Sequence, residues 1–299
     1  MRLLLYVALL STLAANAADV QQDIRWLSDA KLEGRKTGTA GAQLARDYLA
    51  QRYQQLGLHY FNGSFSQPFS YGRSKTGINM VGYLPGCTYP KHYIAVTAHY
   101  DHLGKQGHKI FHGADDNASG VAVMLEMASR LSQRCPAYSY IFIATDAEEG
   151  GLYGSKAFVG APPVALNNIV LNLNLDMLGR PDRRGRLYLT GAKRFPDLIA
   201  TLAPRFNKLQ FLHHRGPGRL PRAHSRYDWP NASDHGPFHR AGISYLFFGG
   251  QDHAHYHTEL DTWQRINSEF LSMAIDVVWV SVNWLEQQPP QTLLRQPEQ

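Results

Sequence analysis

Two runs of the chain are apolar at nearly every position, the pattern of β-strands that are covered on both faces. They are IAVTA, within Tyr93–Ala98, and YIFIAT, within Tyr138–Thr145. A segment of helical character, Ala118–Gln133, lies between them, and further predicted strands alternate with helices along the chain. Buried strands that alternate with helices form a mainly parallel sheet with helices on both faces. The sequence therefore predicts an α/β fold.

Composition fits one large folded domain. The 299 residues are 44% hydrophobic and 18% charged, which excludes global disorder. The formal charge of +6 is spread along the chain, and no basic stripe is interleaved with aromatic residues, so we expect no nucleic-acid partner. No repeat or second domain stands out. We predict one domain over 18–286 and a flexible Pro/Gln-rich tail over 287–299.

The amino-terminal segment MRLLLYVALLSTLAANA has the pattern of a secretory signal peptide. A basic Arg2 precedes an apolar run, and Ala15-Asn16-Ala17 is a small-x-small cleavage site, so residues 1–17 are expected to be removed after Ala17. An uncleaved anchor is the alternative, but the apolar run is short for a membrane span. We expect a secreted or periplasmic protein without stable membrane insertion.

The two cysteines precede the two apolar runs. Cys87 lies six residues before Tyr93 and Cys135 three residues before Tyr138. If these runs are neighbouring parallel strands, both cysteines lie near the same sheet edge, and a Cys87–Cys135 disulfide suits an oxidising compartment. Two buried free thiols are the alternative.

Polar side chains follow the predicted buried strands where each one ends. His99 and Asp101 follow the first run, Glu148 and Glu149 follow the second, and Asp176 follows a strand over 169–175. Ligands bind at the carboxyl ends of the strands in open α/β sheets. Several strands that each deliver histidine or carboxylate to that edge indicate a polar site there.

The segment GADDNASG, residues 113–120, lies between the first of these strand ends and the next helix. Alone, it is a turn in which Asp115 or Asp116 caps the helix. Together with the other strand ends it completes a set of histidine and carboxylate donors of the kind that zinc accepts. Two metal ions close together need a bridging group, which a carboxylate can provide.

Six ordered segments carry a resemblance to a known family: AHYDHLG, HGADDNASG, DAEEGGLYGS, NLDMLGR, SDHGPF and YHTELDT. They resemble the motif set of the secreted M28 zinc aminopeptidases. LEGRKTGTAGAQLARDYL and GINMVGYLPG resemble that family's amino-terminal part. The resemblance implies a single α/β domain with a mixed central sheet, the zinc-dependent exopeptidase fold. It also implies removal of N-terminal residues from peptides with a free N-terminus, and we expect a monomer.

The resemblance also implies a ligand set for two zinc ions, with cobalt or manganese as possible substitutes. His99 and Asp176 are expected to bind one ion and Glu149 and His257 the other. Asp115 is expected to bridge them, and the peptide bond that follows Asp115 is expected to be cis.

Further roles follow from the same resemblance. Glu148 is expected to be the general base, and Asp101 to accept the other imidazole N–H of the first metal-binding histidine. Asp116 is expected to shape the backbone beside the bridging carboxylate, and Ser233 and Asp234 to orient the metal ligands.

Several alternatives stay open. His253 or His255 could replace His257 as ligand, and Tyr227 could assist the oxyanion. Segment 213–230, rich in Arg and His, could favour acidic or long peptides or be a solvated basic loop. Three other histidines are interpreted as exposed loop residues: His102, His108 and His112.

Two other functions compete with an aminopeptidase. The first is a glutaminyl-peptide cyclase of related fold with a single zinc, which the two-metal ligand set disfavours. The second is a non-catalytic peptidase-like binding module, which should have lost ligands or the general base, and the sequence lacks none of them.

Overall fold

The computed structural model describes residues 20–212, 215–216 and 227–294. The predicted signal peptide, most of the segment 213–230 and the side chain of Tyr227 lie outside the described residues. No helix in the described part of the chain is both long and apolar enough to cross a membrane.

An eight-stranded mixed sheet is the centre of the fold. Its strands, in chain order, are β1 (Ser66–Tyr71), β2 (Lys75–Leu84), β3 (Tyr89–His99), β6 (Tyr138–Thr145), β7 (Ile169–Asp176), β8 (Leu187–Thr190), β9 (Leu209–Leu212) and β12 (Ser244–Gly249). Two short two-stranded ribbons lie apart from this sheet, β4 (Gly104–Gln106) with β5 (Lys109–Phe111), and β10 (Arg215–Gly216) with β11 (Tyr227–Asp228).

The spatial order of the sheet is β1-β2-β6-β3-β7-β12-β8-β9. The four central strands β6, β3, β7 and β12 are parallel, so their carboxyl ends meet at one edge. Strands β1 and β2 pair antiparallel with their neighbours, and β8 pairs antiparallel with β12 but parallel with β9, which makes the sheet mixed. The predicted fold class is confirmed.

Helices cover the sheet. One helix runs through residues 20–27, and the others are α1 (Ala40–Gln55), α2 (Gly120–Ser132), α3 (Tyr153–Gly160), α4 (Pro196–Leu202), α5 (His235–Arg240), α6 (Ser268–Leu285) and α7 (Pro290–Leu293).

Two hydrophobic clusters explain why the central strands are apolar at consecutive positions. Tyr140 and Phe142 of β6 belong to the larger cluster, which includes residues of α2 and α6. Ile141 and Ile143 point to the opposite face and belong to a smaller cluster that includes Phe158 of α3. Successive residues of a strand point to opposite faces, and here both faces are covered.

The disulfide predicted from the sequence is present. Cys87 and Cys135 are bonded, with their Cα atoms 5.8 Å apart. They precede β3 and β6, which are parallel neighbours, so the reasoning from adjacent strand starts is confirmed.

Two features differ from the prediction. Strand β1 was not predicted, because it has no apolar run, contains Pro68 and lies at the sheet edge, where proline is tolerated. The prediction of a flexible tail is wrong for residues 287–294: Leu293 is buried in the larger cluster, and the Tyr138 hydroxyl donates to the carbonyl of Gln288 at 2.6 Å.

Candidate metal centre

Two groups of histidine and carboxylate side chains meet at the carboxyl edge of the four parallel strands. The first is formed by His99, the last residue of β3, Asp176, the last residue of β7, and Asp116 from the turn before α2. The Nε2 atom of His99 lies 3.2 Å from Oδ1 of Asp116 and 3.5 Å from Oδ1 of Asp176. All three side chains are buried.

The second group shares Asp116 with the first. The other side chains of this group are those of His102 and Glu149, and His257 lies within contact distance of Asp116. The Nε2 atom of His257 lies 3.0 Å from Oδ2 of Asp116 and 3.2 Å from Oε2 of Glu149. The Nδ1 atom of His102 lies 2.7 Å from Oε1 of Glu149. Asp116 therefore presents one carboxylate oxygen to each group.

Asp115 was expected to lie between the two groups, but the structure places the next residue, Asp116, there. The carboxylate of Asp115 points away from both groups: Oδ1 accepts the N–H of Gly179 at 2.7 Å, and Oδ2 lies 3.1 Å from Nε2 of His253. The cis peptide bond follows Asp116, not Asp115. Consecutive residues of this turn point in different directions, so Asp116 occupies the position expected for Asp115.

The position of Asp116 is fixed by its neighbours. The carboxylate of Asp261 accepts the backbone N–H groups of Asp115 and Asp116 at 3.1 Å. Asn117 accepts from the N–H of Met177 at 3.1 Å and donates to the carbonyl of Leu175 at 2.9 Å, which ties the turn to the end of β7. The shared carboxylate is thereby held against the strand that carries Asp176.

Glycine is required where the chain enters this turn. Gly113 has φ +60°, and a Cβ there would lie 2.3 Å from the carbonyl oxygen of Asp116 and 2.6 Å from the ring of His102. Any larger residue would displace two members of the candidate site.

Asp101 has a different role from the expected one. The Nδ1 atom of His99 contacts the backbone carbonyl of Asp101 at 3.2 Å, whereas the nearest carboxylate oxygen is 3.9 Å away. The carboxylate instead accepts the N–H groups of Glu148, at 3.0 Å, and Glu149, at 3.4 Å. Asp101 therefore positions the Glu148–Glu149 pair and orients the imidazole through its main chain.

Ser233 and Asp234 lie beneath the site, where their side chains form hydrogen bonds to residues of the strands. Ser233 accepts from the amide of Asn174 at 2.9 Å, and Asp234 accepts from the hydroxyl of Thr145. Both residues are fully buried. Of the open alternatives for His257, His253 supports Asp115, and His255 lies 3.3 Å from a guanidinium nitrogen of Arg265.

A buried cation holds the segments around the site together. Arg35 is completely buried and donates to four backbone carbonyls, those of Leu27, Tyr100, His112 and Gly113, at 2.5–2.9 Å. Burial lowers its pKa to about 10, opposed by the carboxylates of the site. Arg35 thus joins the turn that carries Asp116 to the loop after β3.

Replacing Arg35 with Met is expected to lower the free energy of unfolding by about 3 kcal/mol or more, because several buried carbonyls would lose their donor. The control Arg73→Met, at an exposed turn position, should stay within about 0.5 kcal/mol. Urea unfolding followed by circular dichroism measures both. A loss below about 1 kcal/mol for Arg35→Met would contradict the structural role.

The ionisation of the site favours a bound cation. Burial lowers the pKa of His257, but Asp116 and Glu149 raise it to about 10, and neighbouring carboxylates likewise raise the pKa of His99 well above its usual value against burial. Burial raises the pKa of Glu149, but its imidazole partners lower it to about 2. The carboxylates of Glu149 and Asp116, whose pKa is also lowered by its imidazole partners against burial, are therefore held ionised by positive charge, which a metal ion can supply in place of protons.

Several nitrogen and oxygen atoms at the site are buried and make no well-aligned hydrogen bond in the described part of the chain, although most of them lie within 3.5 Å of another side chain of the site. They are Oδ1 of Asp176, Oε1 of Glu149, Nε2 of His257 and both ring nitrogens of His102. Buried polar atoms that lack aligned hydrogen bonds are costly, and a bound cation would satisfy them. Imidazole nitrogens and carboxylate oxygens are zinc ligands, so this donor set fits zinc.

A buried histidine below the site provides a pH-dependent prediction. His235 stacks on Phe247, donates from Nε2 to the carbonyl of Trp229 at 2.7 Å, and is fully buried. Burial lowers its pKa to about 3, so the unfolded chain takes up a proton below pH 6.5 that the folded chain does not. This group should reduce stability by about 2 kcal/mol between pH 7 and pH 5.

The variant His235→Gln should therefore lose less stability than the parent between pH 7 and pH 5, although it is less stable at pH 7. Denaturant unfolding of the metal-free proteins at both pH values measures the difference. Equal losses would show that His235 does not stay neutral in the folded state.

Three residues of the site were not predicted from the sequence. His102 was interpreted as an exposed loop residue but is buried between Glu149 and the Asp116 turn. Asp261 and Arg35 lie within segments that carry the family resemblance, yet nothing in their local pattern shows which backbone groups they hold. The spacing of His102 from Asp101 and His99, at the end of the same strand, was the one available signal.

The chain is similar in sequence to known peptidases over more than half of its length. The model of peptidase family M28 matches residues 79–282. Aminopeptidase YwaD of Bacillus subtilis (strain 168) is 34% identical over 198 residues, which cover 63% of this chain and 40% of that protein. The chain therefore spans less than half the length of that relative.

Solved structures share the fold. The zinc aminopeptidase BSAP from Bacillus subtilis superposes with a TM-score of 0.70 at 20% identity and covers 93% of this chain and 98% of that one. The glutaminyl cyclase of Porphyromonas gingivalis gives a TM-score of 0.71 at 20% identity and covers 90% and 98%. Since the family model matches well over half of the chain, the chain belongs to peptidase family M28.

Proposed function

We propose that this protein is a zinc aminopeptidase that hydrolyses the N-terminal peptide bond of peptides with a free N-terminus. The observation that carries the proposal is the carboxylate of Asp116, which is shared between two groups of zinc-type donors. The names of YwaD and BSAP support the same activity.

His99 and Asp176 are proposed to hold one zinc ion, and Glu149 and His257 the other, with Asp116 as the bridge. His102 is a further donor within reach of the second ion. When bound, the ions would act as Lewis acids on the scissile carbonyl and lower the pKa of a water in the site.

Glu148 is the proposed general base. It is half-buried beside the donor groups, and the Asp101 carboxylate fixes its backbone N–H at 3.0 Å. Burial, and then the carboxylates of Asp234 and Glu149, raise the pKa of Glu148 well above its usual value, against the effect of His99. A carboxylate with a raised pKa takes a proton from water more readily and can return it to the leaving amine.

A panel of aminoacyl-nitroanilides and short peptides tests the proposal. Purified protein should release N-terminal residues, lose activity with a chelator and regain it with zinc, and less fully with cobalt or manganese. A peptide with N-terminal glutamine separates the runner-up: an aminopeptidase releases free glutamine, whereas a cyclase leaves a pyroglutamyl peptide. Cyclisation with one zinc per chain, or no activity on any substrate with zinc bound, would overturn the proposal.

We also propose that the protein acts outside the cytoplasm, as the sequence of residues 1–17 indicates. The Cys87–Cys135 disulfide supports this, because such bonds persist in oxidising compartments. Mass spectrometry of the exported protein should give a mature chain that starts at Ala18.

A further inference from the structure

A cavity of about 620 Å³ opens beside the second donor group. Its inner wall includes His102 and Glu149, and its outer wall includes Lys36, Tyr71 and Lys75. A substrate whose scissile bond lies at the donor groups therefore has space for an adjoining part in this cavity.

The outer wall carries two cations from separate segments. Neither Lys36 nor Lys75 makes an ion pair with another described residue, and both side chains are exposed to solvent. Lys75 of β2 pairs with Tyr71 of β1 across their hairpin, and its Nζ atom lies 5.8 Å from the centre of the Tyr71 ring. These ammonium groups can bind a ligand without breaking an existing ion pair.

The backbone on both sides of Lys36 is anchored. Arg35 is held by its four carbonyl contacts, and the hydroxyl of Thr37 donates to the carboxylate of Asp146 at 2.7 Å. On the other part of the wall, the Tyr71 ring packs against Tyr153 with centroids 4.7 Å apart. The positions from which the lysines extend are therefore fixed before a ligand binds, which lowers the entropic cost of binding.

The carboxylates that face the cavity already have partners. Asp101 accepts the N–H groups of Glu148 and Glu149, and the Glu149 carboxylate lies within 3.2 Å of imidazole nitrogens of His102 and His257. The oxygens of these carboxylates are thus engaged, whereas the two lysines are the charged groups of the lining that are left to form an ion pair with a ligand.

We propose that this cavity binds a carboxylate of the peptide substrate through Lys36 and Lys75, an inference that rests on the proposed aminopeptidase function. The carboxylate can come from an acidic N-terminal side chain or from the C-terminus of a dipeptide. Both sources offer the same charge-assisted hydrogen bonds to ammonium groups.

Paired substrates distinguish the two sources. Asp-nitroanilide and Asn-nitroanilide differ in whether the side chain of the N-terminal residue is a carboxylate or an amide. Leu-Ala and Leu-Ala-amide differ in whether the C-terminus is a carboxylate or an amide. In one pair, the acid should have a kcat/KM about tenfold above that of its neutral partner, mainly through KM, and the ratio should fall with added salt. In the other pair, the kcat/KM of the acid should exceed that of its neutral partner by a smaller factor.

The double variant Lys36→Met/Lys75→Met should reduce that ratio to less than about twofold and leave kcat/KM for the neutral substrates nearly unchanged. Lys91→Met is the matched control and should keep the full acid-to-neutral ratio of kcat/KM. Lys91 is exposed and lies near the start of β3, at the opposite end of the sheet from the site. No acid preference in either pair, or a preference that survives in the double variant, would overturn the proposal.

Titration calorimetry keeps this test independent of turnover. Zinc-loaded protein that hydrolyses none of these compounds would overturn the proposed activity. Tighter binding of one acid than of its neutral partner, abolished in the double variant, would still support a carboxylate site, and equal binding of both partners would exclude one.

Discussion

Glu148→Gln is expected to lower kcat by at least about a thousandfold while the two proposed zinc ions stay bound. Glutamine has nearly the same shape as glutamate but cannot take a proton from water. The backbone N–H of residue 148 would keep its hydrogen bond to Asp101, so the neighbouring Glu149 should keep its position. Steady-state kinetics and zinc content measured on the same preparation check both parts of this expectation.

Glu259→Gln is the matched control, because Glu259 is a partly exposed carboxylate of the loop after His257, paired with Lys109 at 2.8 Å. Its kcat should stay within about twofold of the parent. If Glu148→Gln keeps more than a tenth of the parent activity, Glu148 is not the base.

Asp116→Asn is expected to weaken the binding of both zinc ions by at least about a hundredfold, because an amide cannot offer one anionic oxygen to each donor group. Asp115→Asn is the internal control, since it changes the adjacent residue in the same way. Its carboxylate contacts Gly179 and His253, so we expect a loss of about tenfold through disturbed support of the turn. Titration with a competing chelator gives both affinities.

The ranking of these two variants decides between the bridge suggested by sequence and the one suggested by the geometry. A larger loss in Asp115→Asn than in Asp116→Asn would return the bridge to Asp115. A loss of only one zinc ion in Asp116→Asn would show that its carboxylate is not shared.

The central strands, their parallel arrangement and the site edge could be predicted because each depends on a local pattern. Consecutive apolar residues in β6 indicate a strand covered on both faces, and the residues that follow a strand must lie at its carboxyl edge. The disulfide followed from the same reasoning, since Cys87 and Cys135 precede neighbouring strands.

The details of the site depend on contacts between segments distant in sequence. Whether Asp115 or Asp116 faces the donors is decided by Asp261, which lies about 145 residues away and holds the turn through two N–H groups. Arg35 shows its role only once four distant carbonyls surround it. His102 could not be separated from an exposed loop histidine without the packing of the turn at Gly113.

Anomalous diffraction from zinc-loaded crystals, recorded above and below the zinc absorption edge, tests the central assignment most directly. We predict two anomalous peaks per chain, one beside His99 and Asp176 and one beside Glu149 and His257, with the carboxylate of Asp116 between them. A single peak, or two peaks that flank Asp115 instead, would contradict the account.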